Sequence, residues 1–600
     1  MTDRDFATSP LSGTANTTPP FVLLEDAAQG GARLYTAPRQ IIEARQISEV
    51  RPALQALRRA QANGLHAAGW MSYEAGFALE HKFEAIAQPT QKPLLWFGLF
   101  DDVQILDQHA LNAALPDGAG AWITDPSPRL AQSDYEARVE RILAYIRSGD
   151  IYQVNFTLRN DLRLMGHPLA LYAQIRRPGA GRWSGVAFNG ATWLLSTSPE
   201  LFFSLEAGAI RARPMKGTAP RCADPQADAE MALAMQADPK QRAENLMIVD
   251  LMRNDISRIA ARGSVKTPAL FTIETYPTLH TLTSTIEARL APGRDAIDAL
   301  EALFPCGSIT GAPKIRAMEI INELETDARG AYTGSLGWLA PNGDAAFNVL
   351  IRTLVVQDDR EDAVFGVGSG IVHDSMPTAE WEECQVKSLF LTRARPWFDL
   401  IETMRYEPDC GFADLNLHLE RLARSAEIFG FTFGAAEITE ALHAKAATHA
   451  GPQRVRLALT RAGAFSIESS AAPTPLAAPA IVALAALPVS ARDFRLRHKT
   501  SDRSFRDQAL SASGAFEVIF FDAEGFLTDG AFTNVFVPRN GLLLTPPASR
   551  ALLPGVLRQK LLASGAAIEA ELTPADLSSD FFIGNALRGL IPARLPRSNL

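Results

Sequence analysis

Cysteine is scarce in this chain: four among 600 residues, Cys222, Cys306, Cys384 and Cys410, each far from the next. No two have the spacing of a metal knuckle, and so few form no disulfide framework, a pattern that suits a reducing compartment. No apolar run reaches the ~18 residues that a membrane-spanning helix needs. The opening MTDRDFATSPLSGTANTTPP carries acids and no apolar core, so it is not expected to act as a secretory signal. Positive charge is in deficit as well. With 58 Lys and Arg against 67 Asp and Glu, the net charge of −9 argues against a dominant nucleic-acid or anionic-membrane surface. No segment recurs at a fixed period, which excludes a solenoid or a duplicated domain. The expectation is a soluble cytoplasmic protein that binds neither nucleic acid nor membrane.

What is present reads as ordinary globular sequence, 47% hydrophobic and 21% charged. Six hundred residues exceed one hydrophobic core, so two or more domains are expected. The first 19 residues, rich in Ser, Thr, Pro and Ala, read as a disordered tail. Strands are expected at 94–101, 192–205 and 363–372, and helices at 133–149, 239–262, 311–325 and 379–392. In the helix expected at 239–262, Asp238 caps the start, Pro239 suits the first turn and Gly263 can end it. Leu246, Val249, Met252, Ile256 and Ile259 repeat there at helical spacing and should face a core. Near residue 395 the character changes: LTRARPW closes a helix and FDLIETMRYEPDCGF opens a strand and turn. The expected division is a tail at 1–19, one domain over 20–395 and a second over 396–600. SSAAPTPLAAPA (469–480) is a linker or a strand-connecting loop within the second.

In the first domain, Glu200 follows a strand in STSPE, Lys216 stands in RPMKGT after AIRAR, and Glu244 lies on the capped helix. Glu380, Glu383 and Lys387 follow in AEWEECQVK. At about 100° per residue these last three fall within about 60° on one helix face. With Glu244 they supply enough oxygens for Mg²⁺, which prefers carboxylates and keeps several waters. Taken alone, however, such a face is usually solvated and self-pairing, a loop lysine is usually a surface lysine, and GVGSG (366–370) usually marks a turn.

The order of the surrounding motifs changes that reading. SGDIYQVNFT (148–157), SPE (198–200), PMKGT (214–218), RAENLMIVDLMRNDI (242–256), LHTLTSTI (279–286), FPCGSITGAPKIRAMEII (304–321), IRTL (351–354) and GSGIVHDS (368–375) follow one another here. Roughly residues 20–395 resemble the chorismate-utilising enzymes, whose products include anthranilate, isochorismate and 4-amino-4-deoxychorismate. The resemblance implies a large α/β sandwich of two antiparallel sheets with outer helices. Members that make anthranilate or isochorismate have Ala where Lys216 stands, and those that aminate C4 have Lys. Lys216 is thereby implied as a nucleophile at C2, useful only with its amine unprotonated. Glu200 is the implied general acid/base at the C4 hydroxyl. Glu244, Glu380 and Glu383 are the implied Mg²⁺ carboxylates, and Arg352, Lys387 and the Gly368–Gly370 amides would receive substrate carboxylates. His280 and Thr310 would line the pocket near C4. Ammonia usually comes from a separate glutamine amidotransferase subunit. None of RCAD, PCGS, ECQV or DCGF is the Gly-x-Cys-x-Gly turn of such an enzyme, so that partner is expected in trans.

From about Phe398, LNLHLERLARSAEIFGF (415–431), FRLRHKTSDRSFRD (494–507), GFLTDGAFTNVFV (525–537), LLPGVLRQKLL (552–562) and FFIGNALRGLIPA (581–593) resemble fold-type IV pyridoxal-phosphate enzymes. These are branched-chain and D-amino acid aminotransferases and aminodeoxychorismate lyases. Lys499, after a strand-like FRLRH run, is the implied partner of the cofactor aldehyde. Arg421 and the amides of Gly555 and Val556, with Thr533 and Asn534, are implied at the phosphate. Asp529 stands where the family has Glu near the pyridine nitrogen, so the charge is kept and the reach is shortened. A second departure is the start, which lacks the extra strand pair that free-standing relatives carry before this segment. Relatives with this cofactor are commonly dimers, which makes a homodimer an expectation. Beside a C4-aminating domain, a lyase would release pyruvate and 4-aminobenzoate. The alternatives are an anthranilate-forming first domain and a second domain that transaminates or only stabilises.

Overall fold

The computed structural model describes residues 19–26, 30–83, 92–176, 181–275, 279–358 and 360–596. The tail expected over 1–19 falls, but for Pro19, outside them. Apolar strands buried on both faces build the first domain. Leu95–Phe100 (LWFGLF) is buried at all six positions. Trp96 and Phe100 point into one cluster with Val22, Leu24 and Trp70, while Leu95, Phe97 and Leu99 join the larger core that includes the helix Ile47–Ala62. Alternate residues thus serve the sheet-to-sheet and the sheet-to-helix layers, as a period of two requires.

One sheet runs Gly311–Ala312, Gln153–Met165, Asp362–Ile371, Thr353–Gln357, Thr192–Ser196, Gly185–Phe188, Phe21–Asp26, Gly31–Thr36, Gln104–Asp107. The facing sheet runs Met215–Pro220, Leu279–Arg289, Ala209–Arg213, Leu201–Glu206, Ala345–Asn348, Ser335–Leu339, His66–Met71, Leu95–Phe100, Gln40–Ala44. Every paired register in the two is antiparallel, the sandwich that the resemblance implies.

Several local expectations are corrected. Residues 192–205 form not one strand but two, Thr192–Ser196 and Leu201–Glu206, in opposite sheets. Ser198 makes the break: its hydroxyl donates to the Val349 carbonyl at 2.6 Å and accepts the Glu200 amide at 3.3 Å. The helix begun by Asp238 and Pro239 ends at Ser257, short of Gly263, because Ala260 bridges to Leu290. On it Leu246 is exposed and Ile248 takes the core position. Pro313 caps the next helix, so it starts at Lys314 rather than 311. The other expected helices and strands appear as Gln132–Arg147, Pro377–Arg393, Leu95–Phe100 and Asp362–Ile371.

In the second unit a four-stranded antiparallel sheet (Gly411–Phe412, Leu400–Glu407, Gln453–Leu459, Phe465–Ala471) precedes an eight-stranded mixed sheet. The Pro/Ala-rich stretch 469–480 includes the loop between Phe465–Ala471 and Ala480–Ala486, which crosses from one sheet to the other. The FRLRH run is not a strand; it contains a single 3₁₀ turn, Phe494–Leu496, capped by Asp493. The halves are not independent bodies. Trp122 and Met165 of the first belong to the core of the second, with Phe398, Phe429 and Phe494. No helix among the described residues is long and apolar enough to cross a membrane.

Candidate active sites

Lys216 lies within the strand Met215–Pro220 rather than in a loop. The register with Leu279–Arg289 slips between Lys216 and Thr218, a bulge centred on Gly217 at φ +80°. Bulges re-aim side chains, and this φ explains the glycine of PMKGT. The Lys216 amine comes to rest on the strand Asp362–Ile371, where Gly366, Gly368 and Gly370 share one face. A Cβ at Gly370 would stand 3.1 Å from Lys216 Nζ, and one at Gly368 would stand 2.4 Å from the Phe156 carbonyl. Lys387 reaches the same strand from the helix Pro377–Arg393, donating to the Gly368 carbonyl at 2.9 Å and pairing with Glu383 at 2.6 Å. Burial, then the Lys387 charge, push the Lys216 amine below the usual lysine range, while Glu200, Glu244 and Glu383 pull the other way.

Glu200 sits at the joint between the two sheets, 4% exposed, and burial raises its carboxyl to about 7. Ser308 and Lys216 oppose the rise, and Oε1 is buried with no hydrogen-bond partner. Glu244 is also raised by burial, with Glu380 and Glu383 adding to the shift. Arg352 takes the left-handed φ of +49°, and its guanidinium lies 5.9 Å from the Phe390 ring on the helix that carries Lys387. Such backbone strain in a non-glycine residue is concentrated at functional sites.

Two of the residues implied near C4 have other engagements. His280 is held between Asp228 (3.0 Å) and Thr275 (3.0 Å), and the Thr310 hydroxyl donates to the Cys306 and Gly307 carbonyls at 3.1 and 3.2 Å. Carboxylates are the right chemistry for Mg²⁺. Glu383 is nevertheless paired with Lys387, and no group of three or more His, Cys, Asp or Glu among the described residues is arranged to hold a metal ion. The residues as they stand do not form a metal site. Gln153, with Oε1 buried and unpartnered, stands beside Lys216 at Gly370, and Ser308 hydrogen-bonds Glu200. Sequence reasoning passed over both, although each lies inside a quoted motif.

The second site is a cavity of about 510 Å³ that Lys499, Arg421, Asp529, Thr533, Asn534, Gly555 and Val556 all line. Burial first, then Arg421 and Arg503, lower the Lys499 amine to about 7. Arg421 is clamped by Glu402 through two bonds of 2.8 and 2.6 Å, and His418 holds the same carboxylate at 2.6 Å. Gly555 caps the helix Val556–Ala563, whose exposed amides make an anion seat. Asp529 accepts from Arg506 at 3.1 Å and from the Leu553 amide at 3.1 Å. Glu517 braces the turn after it, accepting from the amides of Ala531 and Phe532 and from the Thr533 hydroxyl at 2.9, 3.1 and 2.7 Å.

Pyridoxal phosphate fits this cavity. A lysine held near neutrality, an anion seat beside Arg421, and the unpartnered buried nitrogens Arg506 NH2 and His418 Nε2 are what its aldehyde and phosphate demand. Sequence reasoning missed Glu402, Glu517 and the further cavity arginines Arg454, Arg456, Arg495, Arg503, Arg506 and Arg588. The R-x-R alternation of Gln453–Leu459 was the available signal for Arg454 and Arg456.

A two-sheet sandwich with a bulged lysine strand facing a glycine-lined strand marks the first domain as a chorismate binding enzyme. Residues 19–393 match that family, to which the chain belongs, and residues 399–595 match the class IV aminotransferases. The chain is thus an enzyme with two catalytic-type domains. Over 336 residues it is 39% identical to aminodeoxychorismate synthase component 1 of Klebsiella aerogenes, covering 53% of this chain and 74% of that one. Anthranilate synthase component 1 of Streptomyces coelicolor is 39% identical over 281 residues, 46% of this chain and 54% of that one. Among solved structures, anthranilate synthase component I from Streptococcus pneumoniae superposes with a TM-score of 0.50 at 25% identity, over 64% of this chain and 94% of that one.

Proposed function

We propose that this chain converts chorismate to 4-aminobenzoate in two steps, one at each site. The observation that carries the first is Lys216, aimed by its bulge at Gly370 beside a buried acid. The Lys216 amine attacks C2, both ring double bonds shift, and the C4–O bond breaks as Glu200 gives its proton to the departing hydroxyl, releasing water. Ammonia then attacks C4, the C2–N bond breaks, and Lys216 leaves as an amine. Arg352, Lys387 and the Gly368–Gly370 strand hold the two carboxylates of the substrate. Similarity to aminodeoxychorismate synthases supports this reading, and so does Lys at a position that carries Ala in enzymes making anthranilate. Ammonia reaches the site from a separate glutamine amidotransferase.

In the second step the product loses its C4 proton and its enolpyruvyl group. Pyridoxal phosphate, when bound, supplies an electron sink for that deprotonation. Lys499 takes the proton from C4. Arg454, Arg456 and Arg588 offer the cavity's cations to a dicarboxylate, and aromatisation drives release of pyruvate. One observation favours a second reading, a stabilising rather than catalytic unit: Asp529 is already occupied by Arg506.

A single experiment tests both readings. Purified chain with chorismate, ammonium and pyridoxal phosphate is expected to give 4-aminobenzoate and pyruvate by mass spectrometry. Anthranilate from the wild type that survives Lys216→Ala would overturn the first step. Accumulated aminodeoxychorismate, with no cofactor absorbance lost on Lys499→Ala, would overturn the second.

A further inference from the structure

The ten residues Asp493–Asp502 carry Lys499 and contain one short 3₁₀ turn and a single β-bridge, Thr500 to Leu400, beside which the Ile401 amide donates to the Lys499 carbonyl at 2.9 Å. Something outside the segment must hold it. Arg495, with its side chain 1% exposed, sits at its centre and is bound by Asp493 at 2.7 Å, Asp502 at 2.7 Å and, from the first domain, Asp117 at 2.8 Å. The chain around Asp117 comes so close that a Cβ on Gly120 would stand 2.4 Å from the Asp493 carboxylate.

The second tie is aromatic. Trp122, 3% exposed, meets Phe398 and Phe429 edge-on at 5.3 and 5.4 Å. Phe429 in turn meets His498, the neighbour of Lys499, at 4.7 Å and Phe494 at 5.3 Å. Arg395 and Arg461 lie 4.9 and 5.0 Å from the Trp122 ring, and both pair with Asp125 of the first domain. Asp117 has a half-exposed side chain, so water screens its ion pair. The buried indole is the stronger tie.

We propose that the first domain is a structural member of the second active site: Trp122 and Asp117 are positioning residues that seat the Lys499 segment. The inference rests on the proposed role of Lys499. With Trp122 gone, the packing behind His498 loosens and water reaches the Lys499 amine. Burial is what keeps that amine low, so it should return toward the ordinary lysine range.

The full chain, free of cofactor, is labelled by reductive methylation across a pH series, and Lys499 modification is read by peptide mass spectrometry. Trp122→Ala is expected to move the labelling midpoint up by about one pH unit or more and to weaken pyridoxal phosphate binding about tenfold. Trp122→Phe should restore most of both, and Asp117→Asn should move the midpoint the same way by less. C4 amination of chorismate with ammonium should stay within about twofold of wild type in each. An unchanged midpoint in Trp122→Ala overturns the proposal, as does a Trp122→Phe variant no better than the alanine. Should Trp122→Ala prove insoluble, an unchanged midpoint in Asp117→Asn overturns it. A wild-type chain that takes up no pyridoxal phosphate sinks the functional reading of Lys499 instead, because the labelling is read without cofactor.

Discussion

Lys216, Lys499 and Glu200 carry the proposed chemistry, and each is displaced from its ordinary ionisation. For Glu200, burial with an unpartnered Oε1 holds the carboxyl at about 7, so it carries a proton below neutrality and loses it above. A step that needs this proton slows as pH rises through about 7, while the acid limb belongs to Lys216, which must be neutral to attack. The kcat/KM profile for amination is therefore expected to be bell-shaped. Glu200→Gln should lower the rate about 10²- to 10⁴-fold, the range for losing a positioned acid, and should erase the alkaline limb. Steady-state rates with ammonium at six or more pH values check both. Lys216, Glu200, Lys499 and the cavity residues Arg421, Asp529, Thr533, Asn534, Gly555 and Val556 all stand inside motifs. Their partners were not legible. That Glu402 clamps Arg421, or that His280 is taken up by Asp228, depends on elements 19 and 52 residues apart, which spacing cannot reveal.

At the scale of elements, the glycine face of Asp362–Ile371 matters more than any one side chain. Both Lys216 and Lys387 end against it, and side chains there would fill their places. Gly368→Ala would press a methyl to 2.4 Å from a backbone oxygen that cannot swing aside. It is expected to lower the melting temperature and the amination rate together. At Gly370 the nearest atoms are the ends of Gln153 and Lys216 side chains, at 3.0 and 3.1 Å. Gly370→Ala should therefore cut amination at least tenfold while shifting the melting temperature little, since overpacking against flexible tips costs less than against backbone. Calorimetry beside rate measurements separates the two cases. Helices and apolar strands were legible from periodicity, and the failures share a cause. The strand 192–205 looked continuous because apolar runs flank STSPE on both sides, and the FRLRH run because apolar and basic residues alternate, while hydrogen bonds made by Ser198 and Asp493 bend the backbone.

Across the whole molecule, the two sites pull against each other in pH. Lys499, lowered to about 7, gains a proton as pH falls below neutrality and ceases to accept one from C4. Glu200 fails on the opposite side. Aminodeoxychorismate should accumulate below about pH 6.5, chorismate should persist above about pH 7.5, and 4-aminobenzoate output should peak between, by linkage of protonation to each step. Chromatography of the three compounds across pH 5.5–8.5, in ~0.5 steps, decides it; a peak for 4-aminobenzoate outside that interval contradicts the assignment.

The joint at Ser196–Leu201 has one more consequence. Thr192–Ser196 is stitched to Thr353–Gln357 in one sheet, and Leu201–Glu206 to Ala345–Asn348 in the other. Glu200 is thus a rivet through two plates, its carbonyl accepting from the Val349 amide at 3.1 Å. Neither plate can shear past the other without dragging the acid away from Lys216. Adding one residue to Ser198–Glu200 would turn Leu201–Glu206 inside out, exchanging the faces of Phe202 and Phe203. The four-residue link Thr197–Glu200 therefore gauges the thickness of the sandwich as well as placing a proton.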